Sequence, residues 1–387
     1  MIDPKTISQF QKLETPFYYY DLDLLHKTLS KIKSESEKYG YHVHYAVKAN
    51  ANDKVLETIF SQNLGADCVS GNEIIKARAH GVPGSKIAFA GVGKTDKEIT
   101  TALQNDIFSF NCESIPEIEV INELAGKMGK LAPIAIRINP NVDPKTHKYI
   151  TTGLNENKFG VNHWDFEKLS KLIPSFNHIK FTGLHFHIGS QITDICVFKE
   201  LSQKINTISK WFEDQGFNLQ HINVGGGLGI DYENPTSNPF SDFKAYFKAF
   251  NDHLKLKPNQ ELHVELGRSV VGQCGHLITK VLYVKKGLNI KFLITDAGMT
   301  ELIRPMLYQA KHQISNLTSK LPHQTYDVVG PICESTDVFA KGIDLPGSKR
   351  GDLLAIHSAG AYGEVMASSY NLRDIVKSYT DIELTQS

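Results

Sequence analysis

Short runs of alternating apolar and polar residues recur along this chain, and longer amphipathic segments separate them. The runs are YHVHYAVK, GADCVS, KIAFAG, IFSFN, PIAIRIN, FTGLHFHIG, HINVGGG and ELHVELG. The segments between them, among them residues 72–80, 114–128 and 196–215, are rich in Lys and Glu and look helical. This alternation, from about residue 40 to about residue 268, predicts parallel strands joined by crossover helices.

About eight such strand–helix units in about 230 residues predict a (β/α)8 barrel of the TIM type. The repeat alone leaves a doubly wound open sheet as the alternative. After ELGRS, short strands separated by Gly and Pro turns predict a second, all-β domain. We therefore expect a barrel over residues 24–266 and a β-sandwich or barrel-like domain over 1–23 plus 267–387. The N-terminal FYYYDLDLL is expected to pair with that second domain.

Side chains on a strand alternate between two faces, so one face of each run must meet the helix layer. The apolar faces are suited to that layer. The opposite faces, predicted to line the barrel, carry His44, Ala46, Lys48, Ala135, Arg137, Asn139, His185, His187, His221, Asn223, His263 and Glu265. Burial of so many polar groups is unfavourable unless they are paired or bind a ligand. The pattern favours a polar pocket at the C-terminal mouth of the barrel, with Lys48 at that end of its strand; a different register, or strands that meet solvent, is the alternative.

Composition narrows the class of function. Lys plus Arg and Asp plus Glu balance at 42 each, which argues against a nucleic-acid-binding surface. No apolar run approaches the length of a membrane span, and MIDPKTISQFQKLETP lacks the layout of a signal peptide. Five scattered cysteines without a CxxC pair argue against a disulfide framework and favour a reducing cytoplasm.

Two glycine-containing motifs suggest an anion site. VGGGLG at 224–229 follows the seventh barrel strand, and ELGRS adds Gly267 and Arg268 after the eighth. Loops in these positions often bind phosphate in barrels, although a tight turn alone would also explain the glycines. AGVGKT fails the P-loop pattern because Ala88 stands where glycine is required, and VGGGLG fails the dinucleotide fingerprint. His185 and His187 have a spacing that can bind metal, but we expect no metal because Glu265 is the one nearby acid.

Three motifs of the second domain carry further candidate groups. GPICES places Cys333 beside Glu334 in a loop, a candidate proton donor or ligand group, although buried structural cysteines are common. DAGMTELIRPMLYQA places Arg304 and Tyr308 on one face if the segment is helical, with a solvated arginine as the alternative. GAYGEVMASSYN places Tyr362 between glycines, where it could simply fill a turn.

Seven motifs in order, YAVKAN, FHIGSQ, NVGGGLG, ELGRS, DAGMTELIRPMLYQA, GPICESTDVFAK and GAYGEVMASSYN, resemble one family. It is the pyridoxal-phosphate enzymes with an alanine-racemase-like barrel, fold type III. Within it, the motifs look like those of the meso-diaminopimelate decarboxylases. The resemblance extends from about residue 15 to about residue 373, and the order of the motifs makes it specific.

The resemblance implies roles at the cofactor. Lys48 would hold pyridoxal phosphate as a Schiff base, His187 would stack on the pyridine ring, and Glu265 would keep its nitrogen protonated. The phosphate would be bound by groups from several loops, namely Ser190, Gly226, Gly227, Gly267, Arg268 and Tyr362.

The resemblance also implies a substrate and an assembly. Arg268, Arg304, Tyr308 and Tyr362 would bind substrate, chiefly its distal carboxylate, and Glu334 its distal ammonium, while Cys333 would protonate the product carbon. Cys333 and Glu334 would come from the partner in a homodimer that shares both sites. The expected activity is conversion of meso-2,6-diaminopimelate to L-lysine and CO2, the last step of lysine biosynthesis. Alternatives are a decarboxylase of ornithine, lysine, arginine or carboxynorspermidine, and a non-catalytic barrel that binds the cofactor.

Overall fold

The strands that alternate with helices close into a parallel barrel in the computed structural model, which describes residues 2–143 and 158–386. After β1 (Phe17–Tyr20), the barrel strands are β2 (His42–Ala46), β3 (Gly65–Cys68), β4 (Ile87–Phe89), β5 (Ser109–Cys112), β6 (Ala132–Ile138), β7 (Ile179–Phe186), β8 (His221–Asn223) and β9 (Glu261–Leu266). Each strand pairs with the next, and β9 pairs with β2. The predicted (β/α)8 barrel is confirmed, and the open sheet is excluded because the ring has no edge.

Short polar side chains cap several of the helices around the barrel. The Ser70 hydroxyl accepts a hydrogen bond from the N–H of Glu73, and Thr95 forms a reciprocal capping box with Glu98. The helices are α1 (Pro4–Phe10), α2 (Leu22–Glu37), α3 (Asp53–Phe60), α4 (Gly71–Ala79), α5 (Asp96–Gln104), α6 (Ile115–Lys127), α7 (Phe166–Leu172), α8 (Cys196–Asp214), α9 (Phe243–His253), α10 (Arg268–Val271), α11 (Arg304–Tyr308) and α12 (Asp381–Gln386). The segments predicted as helical at 72–80, 114–128 and 196–215 correspond to α4, α6 and α8.

The barrel strands separate apolar from polar side chains as their alternation predicts. Tyr45, Ile136 and Val264 belong to the apolar core and are fully buried. The polar positions between them are buried too, and they bond to each other: Asn223 Nδ2 donates to Glu265 Oε1 over 2.7 Å. The barrel interior is therefore a hydrogen-bonded polar layer, which is unusual for an interior that serves stability alone.

The C-terminal part of the chain forms a second sheet. Its strands are β10 (Gly275–Lys286), β11 (Lys291–Thr295), β12 (Ile314–Asn316), β13 (His323–Val329), β14 (Val338–Pro346), β15 (Leu353–Ile356) and β16 (Lys377–Thr380). Strand β1 pairs antiparallel with β10 and parallel with β16, so the N-terminal segment does join this sheet. The predicted β-rich second domain is confirmed.

Two local predictions differ from the structure. Strand β2 ends at Ala46, and Val47–Ala49 forms one turn of 3-10 helix, so Lys48 lies on a turn and not on the strand. The Asn50 N–H bonds to the Val47 carbonyl and closes that turn. Strand β8 likewise ends at Asn223, before the glycines, because Gly225 and Gly227 have positive φ angles of 68° and 103° that a strand does not allow.

We propose the domain division predicted above, residues 24–266 and 1–23 plus 267–387. It is supported by the order of the elements, since β1 and β10–β16 share one sheet. Within the described part of the chain, no helix has both the length and the apolar character that crossing a bilayer would require. The turn-rich segment 139–160 falls mostly on residues 144–157, which lie outside the described residues.

Candidate active site

Lys48 extends from its turn toward a carboxylate on the neighbouring strand. Its Nζ lies 2.6 Å from Oδ2 of Asp67 on β3, and the Asp67 side chain is buried while that of Lys48 is 36% exposed. Burial alone would lower the pKa of Lys48, but Asp67, Tyr362 and Glu265 raise it above its ordinary value. Burial and the nearby Glu265 raise the pKa of Asp67. The pair is therefore an ammonium held by a buried carboxyl group.

Glu265 is a buried carboxylate with three donors from three other strands. Its Oε1 accepts from Asn111 Nδ2 at 3.0 Å and from Asn223 Nδ2 at 2.7 Å, and its Oε2 lies 2.9 Å from His185 Nε2. Burial acts to raise its pKa, yet the interactions with His185 and Lys48 hold that pKa well below the usual value. With one donor bonded to Oε2 among the described residues, this oxygen can accept one more hydrogen bond.

His187 lies two residues beyond His185, where it accepts a hydrogen bond from the Gly226 N–H at Nδ1 over 3.4 Å. Burial, then the positive charges of Arg137 and Lys48, lower its pKa well below the ordinary value. The planar imidazole ring near Lys48 is therefore uncharged. Neither His185 nor His187 joins a group of potential metal ligands in residues 2–143 and 158–386.

Arg268 is 6% exposed and is bonded to neutral groups. Its Nε and Nη2 donate to Ser190 Oγ at 3.2 and 3.1 Å, and its Nη1 donates to the Tyr232 hydroxyl at 2.6 Å. The guanidinium carbon lies 4.9 Å from the centre of the Tyr362 ring. No carboxylate of the described chain forms a salt bridge with it, so its charge is available to a bound anion.

Arg304 begins α11 and is 4% exposed. Its Nη1 lies 2.9 Å from His312 Nε2, and its guanidinium carbon lies 4.8 Å from the centre of the Tyr232 ring. Burial lowers its pKa. Like Arg268, it has no salt bridge to an acidic side chain of residues 2–143 and 158–386. Two buried cations without acidic partners create a strong preference for anionic groups.

His312 orients Arg304 through a defined tautomer. Its Nδ1 lies 2.8 Å from the carbonyl oxygen of His357, which can only accept, so Nδ1 carries the proton. The Nε2 lone pair then accepts from Arg304. Burial and the charge of Arg304 lower the pKa of His312 to about 3, so the ring stays neutral at physiological pH.

A cavity of about 830 Å³ joins the two arginines. Its lining includes Gln191, Tyr232, Arg268, Arg304 and Tyr308. Cys333 and Glu334 do not line it. They are exposed on the loop between β13 and β14, where the Tyr370 hydroxyl donates to Glu334 Oε1 over 2.7 Å. The cavity thus brings Arg268, Arg304 and Tyr308 together, and Cys333 and Glu334 lie exposed outside its lining.

The glycines of the predicted phosphate loops are required by protein packing. A Cβ on Gly226 would lie 1.8 Å from the carbonyl oxygen of Glu265, and one on Gly227 would lie 2.7 Å from that of Gly189. A Cβ on Gly267 would lie 3.0 Å from the Cβ atom of Ala49. Their conformation and contacts explain these glycines without a ligand.

Asp67, Tyr232 and His312 are not among the residues that the sequence pattern predicts for the site. The alternation of faces could have found Asp67, because it lies in register with Ala46, which the alternation predicts to face the barrel interior. No local signal selects Tyr232 or His312, which meet Arg268 and Arg304 only in the folded chain.

The donor set fits pyridoxal phosphate by its chemistry. Lys48 supplies an amine, Glu265 an ionised carboxylate with capacity for one N–H donor, and Arg268 with Ser190 a cation and hydroxyl for a phosphate. The flat neutral ring of His187 can face an aromatic ring.

Comparison with known proteins agrees with this chemistry. A family model described as pyridoxal-dependent decarboxylase, pyridoxal binding domain, matches residues 23–272. The chain is 57% identical over 379 residues to a diaminopimelate decarboxylase of Bacteroides thetaiotaomicron, with 98% of each covered. The crystal structure of diaminopimelate decarboxylase from Helicobacter pylori complexed with L-lysine matches with a TM-score of 0.91 and 40% identity, over 97% of this chain and 93% of that one. The arginine decarboxylase of Paramecium bursaria Chlorella virus, 21% identical with a TM-score of 0.86 over 97% and 98%, shares the fold.

We predict that Gly226→Ala lowers the thermal unfolding midpoint, because its Cβ would overlap the Glu265 carbonyl oxygen. Overpacking of this kind costs about 1–3 kcal/mol. Gly93→Ala is the matched control, since a Cβ there meets no atom within 4 Å and its φ is not left-handed. Differential scanning calorimetry of both variants tests this, and equal midpoints would contradict the steric explanation.

Proposed function

The chain belongs to the pyridoxal-dependent decarboxylase family, and from this premise we propose that it converts meso-2,6-diaminopimelate to L-lysine and CO2, the last step of lysine biosynthesis. It is a carboxy-lyase that uses pyridoxal phosphate. The observation that carries the substrate proposal is Arg304, a buried guanidinium that lines the cavity and has no acidic partner among the described residues.

The choice of substrate follows from the charge of the group at the end of the substrate that does not react. Diaminopimelate keeps a carboxylate there, which a guanidinium can bind through two hydrogen bonds. Ornithine, lysine, arginine and carboxynorspermidine carry only cationic or neutral groups at that position, and these would be repelled by Arg304. Tyr308, on the same helix, supports the carboxylate assignment because it lines the same cavity.

We assign the cofactor contacts as predicted. When bound, pyridoxal phosphate supplies an electron sink for the electrons left as CO2 departs. Lys48 would anchor it through its amine, and Glu265 would keep a proton on the ring nitrogen. Arg268 and Ser190, with the N–H groups of the glycine loops and Tyr362, would bind the phosphate.

The second half of the reaction needs a proton at the carbon that lost CO2. We assign this proton to the Cys333 thiol, and we assign the distal ammonium of the substrate to Glu334. Both residues are exposed and lie outside the cavity lining. Their position supports a homodimer in which each loop completes the site of the partner.

The compartment proposed is the cytoplasm. All five cysteines are free, which suits a reducing environment. The relatives reported above are named as decarboxylases of amino acids. Substrates of this kind are small metabolites, which suits an enzyme of the cytoplasm.

We predict that the purified chain releases CO2 from meso-diaminopimelate much faster than from lysine or ornithine. Arg304→Gln should raise KM for meso-diaminopimelate about 10- to 100-fold, since a charge-assisted hydrogen bond contributes about 1.5–3 kcal/mol. Arg350→Gln, which removes an arginine stacked on Tyr283 at the surface, is the control. Faster turnover of lysine or ornithine would overturn the proposed substrate.

Lys48→Ala is expected to remove the long-wavelength absorbance of covalently bound cofactor, because no amine remains to hold it. Absorption spectra of the purified variant with added pyridoxal phosphate measure this. Cys333→Ala should keep the native spectrum, since its thiol is proposed to act only on the product carbon. An unchanged Lys48→Ala spectrum would reject this lysine as the anchor.

Shared sites predict complementation between two inactive variants. When Lys48→Ala and Cys333→Ala chains are unfolded and refolded together, mixed dimers contain one site with both groups intact. Roughly a quarter of native activity should return, because about half of the dimers are mixed and each has one intact site of two. Separately refolded samples mixed on ice provide the baseline. No recovery in mixed dimers confirmed by mass spectrometry would place Cys333 and Lys48 in the same chain's site.

A further inference from the structure

The N-terminal mouth of the barrel, opposite the end that carries Lys48, contains a second cluster of chemically active side chains. His42 begins β2, and Glu261 begins β9. His42 pairs in register with His263, so the first and last barrel strands meet here. His263 Nε2 lies 3.2 Å from Glu261 Oε2, and His42 Nε2 lies 3.9 Å from Glu261 Oε1. One ligand atom from each residue falls within 4.8 Å of the others.

The hydrogen bonds behind His263 define its tautomer. His44 Nδ1 lies 3.2 Å from the carbonyl oxygen of Lys86, which only accepts, so the neutral His44 ring carries its proton there. Its Nε2 is then an acceptor, 2.8 Å from His263 Nδ1, which must donate. The remaining nitrogen of His263, Nε2, therefore presents a lone pair.

That lone pair faces the Glu261 carboxylate across 3.2 Å. Two electron-rich atoms at this distance repel each other unless a positive particle lies between them. A proton can bridge two atoms. A third candidate ligand, His42, approaches the other oxygen of the same carboxylate, which is the arrangement of a metal site.

We propose that His42, Glu261 and His263 form a site for a borderline divalent metal of the Zn²⁺ type. Two imidazoles and one carboxylate suit Zn²⁺, whereas Mg²⁺ and Ca²⁺ prefer oxygen ligands. The contact from His263 Nδ1 to His44 is the kind of outer-sphere hydrogen bond that orients a ligating histidine. The expectation of no metal was argued for His185 and His187, which are not part of this site.

The exposed ligands can adjust to the metal. The side chains of His42 and Glu261 are 52% and 54% exposed, so both can move to the distance of about 2.0–2.2 Å that Zn²⁺ requires. His263 is buried and held by His44, with Phe108 stacked on it at 4.6 Å between ring centres. One rigid and two mobile ligands leave a fourth position open to water.

A metal at this site would cross-link the two strands at which the barrel closes. The metal would join β2 and β9, the strands that come first and last in the barrel. A ligand that binds the folded chain and not the unfolded chain stabilises the fold. Because Lys48 follows the opposite end of β2, we expect stabilisation without a change in turnover.

The test uses the holoenzyme without an affinity tag, first treated with a chelator and then titrated with Zn²⁺ by isothermal calorimetry. His42→Ala and Glu261→Gln change exposed side chains and should fold. His323→Ala is the matched control, because His323 and Asp344 form an exposed pair of 2.7 Å elsewhere. Native protein and the control should bind one more Zn²⁺ per chain than the two variants, or bind it at least tenfold more tightly.

Thermal unfolding supplies an independent readout. Zn²⁺ should raise the unfolding midpoint of the native chain and the control, leave that of His42→Ala and Glu261→Gln unchanged, and leave kcat unchanged in all four. Mg²⁺ should have no effect. Equal Zn²⁺ binding in all four proteins, or no binding in any, would overturn the proposal and leave a proton as the particle between His263 and Glu261.

Discussion

Burial of the Glu265 carboxylate inside the barrel is the constraint on which the site depends. An ionised carboxylate away from water is destabilised by several kcal/mol unless it is fully bonded. Here Asn111, Asn223 and His185 donate to it from three different strands. The barrel must therefore hold these strands in one register to keep the charge satisfied, and the same register directs Lys48 and Asp67 toward that charge. Stability and site geometry thus depend on the same hydrogen bonds.

The buried positive charges, unlike the Glu265 carboxylate, are not neutralised by their partners. Glu265 has its donors, whereas Arg268 and Arg304 are buried beside neutral partners: Ser190, Tyr232 and His312. These partners orient the guanidinium groups without neutralising them. A cavity with oriented and unneutralised cations is prepared for anions, and the substrate proposed has one carboxylate that leaves and one that stays. The neutral tautomer of His312 is essential here, because an acid in its place would compete with the substrate.

The two mouths of the barrel use the same residue type for different purposes. At the C-terminal mouth, His185 and His187 surround the groups assigned to the cofactor. At the N-terminal mouth, His44 and His263 are hydrogen-bonded to each other, and His263 Nε2 faces the Glu261 carboxylate. Both ends follow from the alternation of side chains along β2, β7 and β9, which directs every second residue to the interior. The polar interior therefore continues through the barrel.

The sequence by itself determined the order of elements, the alternation of parallel strands with helices, the β-rich second domain, and the inward direction of His44, His185 and Glu265. These follow from periodicity, which is local along the chain and survives folding. Only the tertiary structure decided that Lys48 lies on a 3-10 turn, that Asp67 meets it, and that His312 orients Arg304. It also decided that Gly226 is required by the Glu265 carbonyl and that His42 meets Glu261. Most of these are contacts between residues far apart in sequence, and such contacts depend on strand register and packing, which no local pattern encodes.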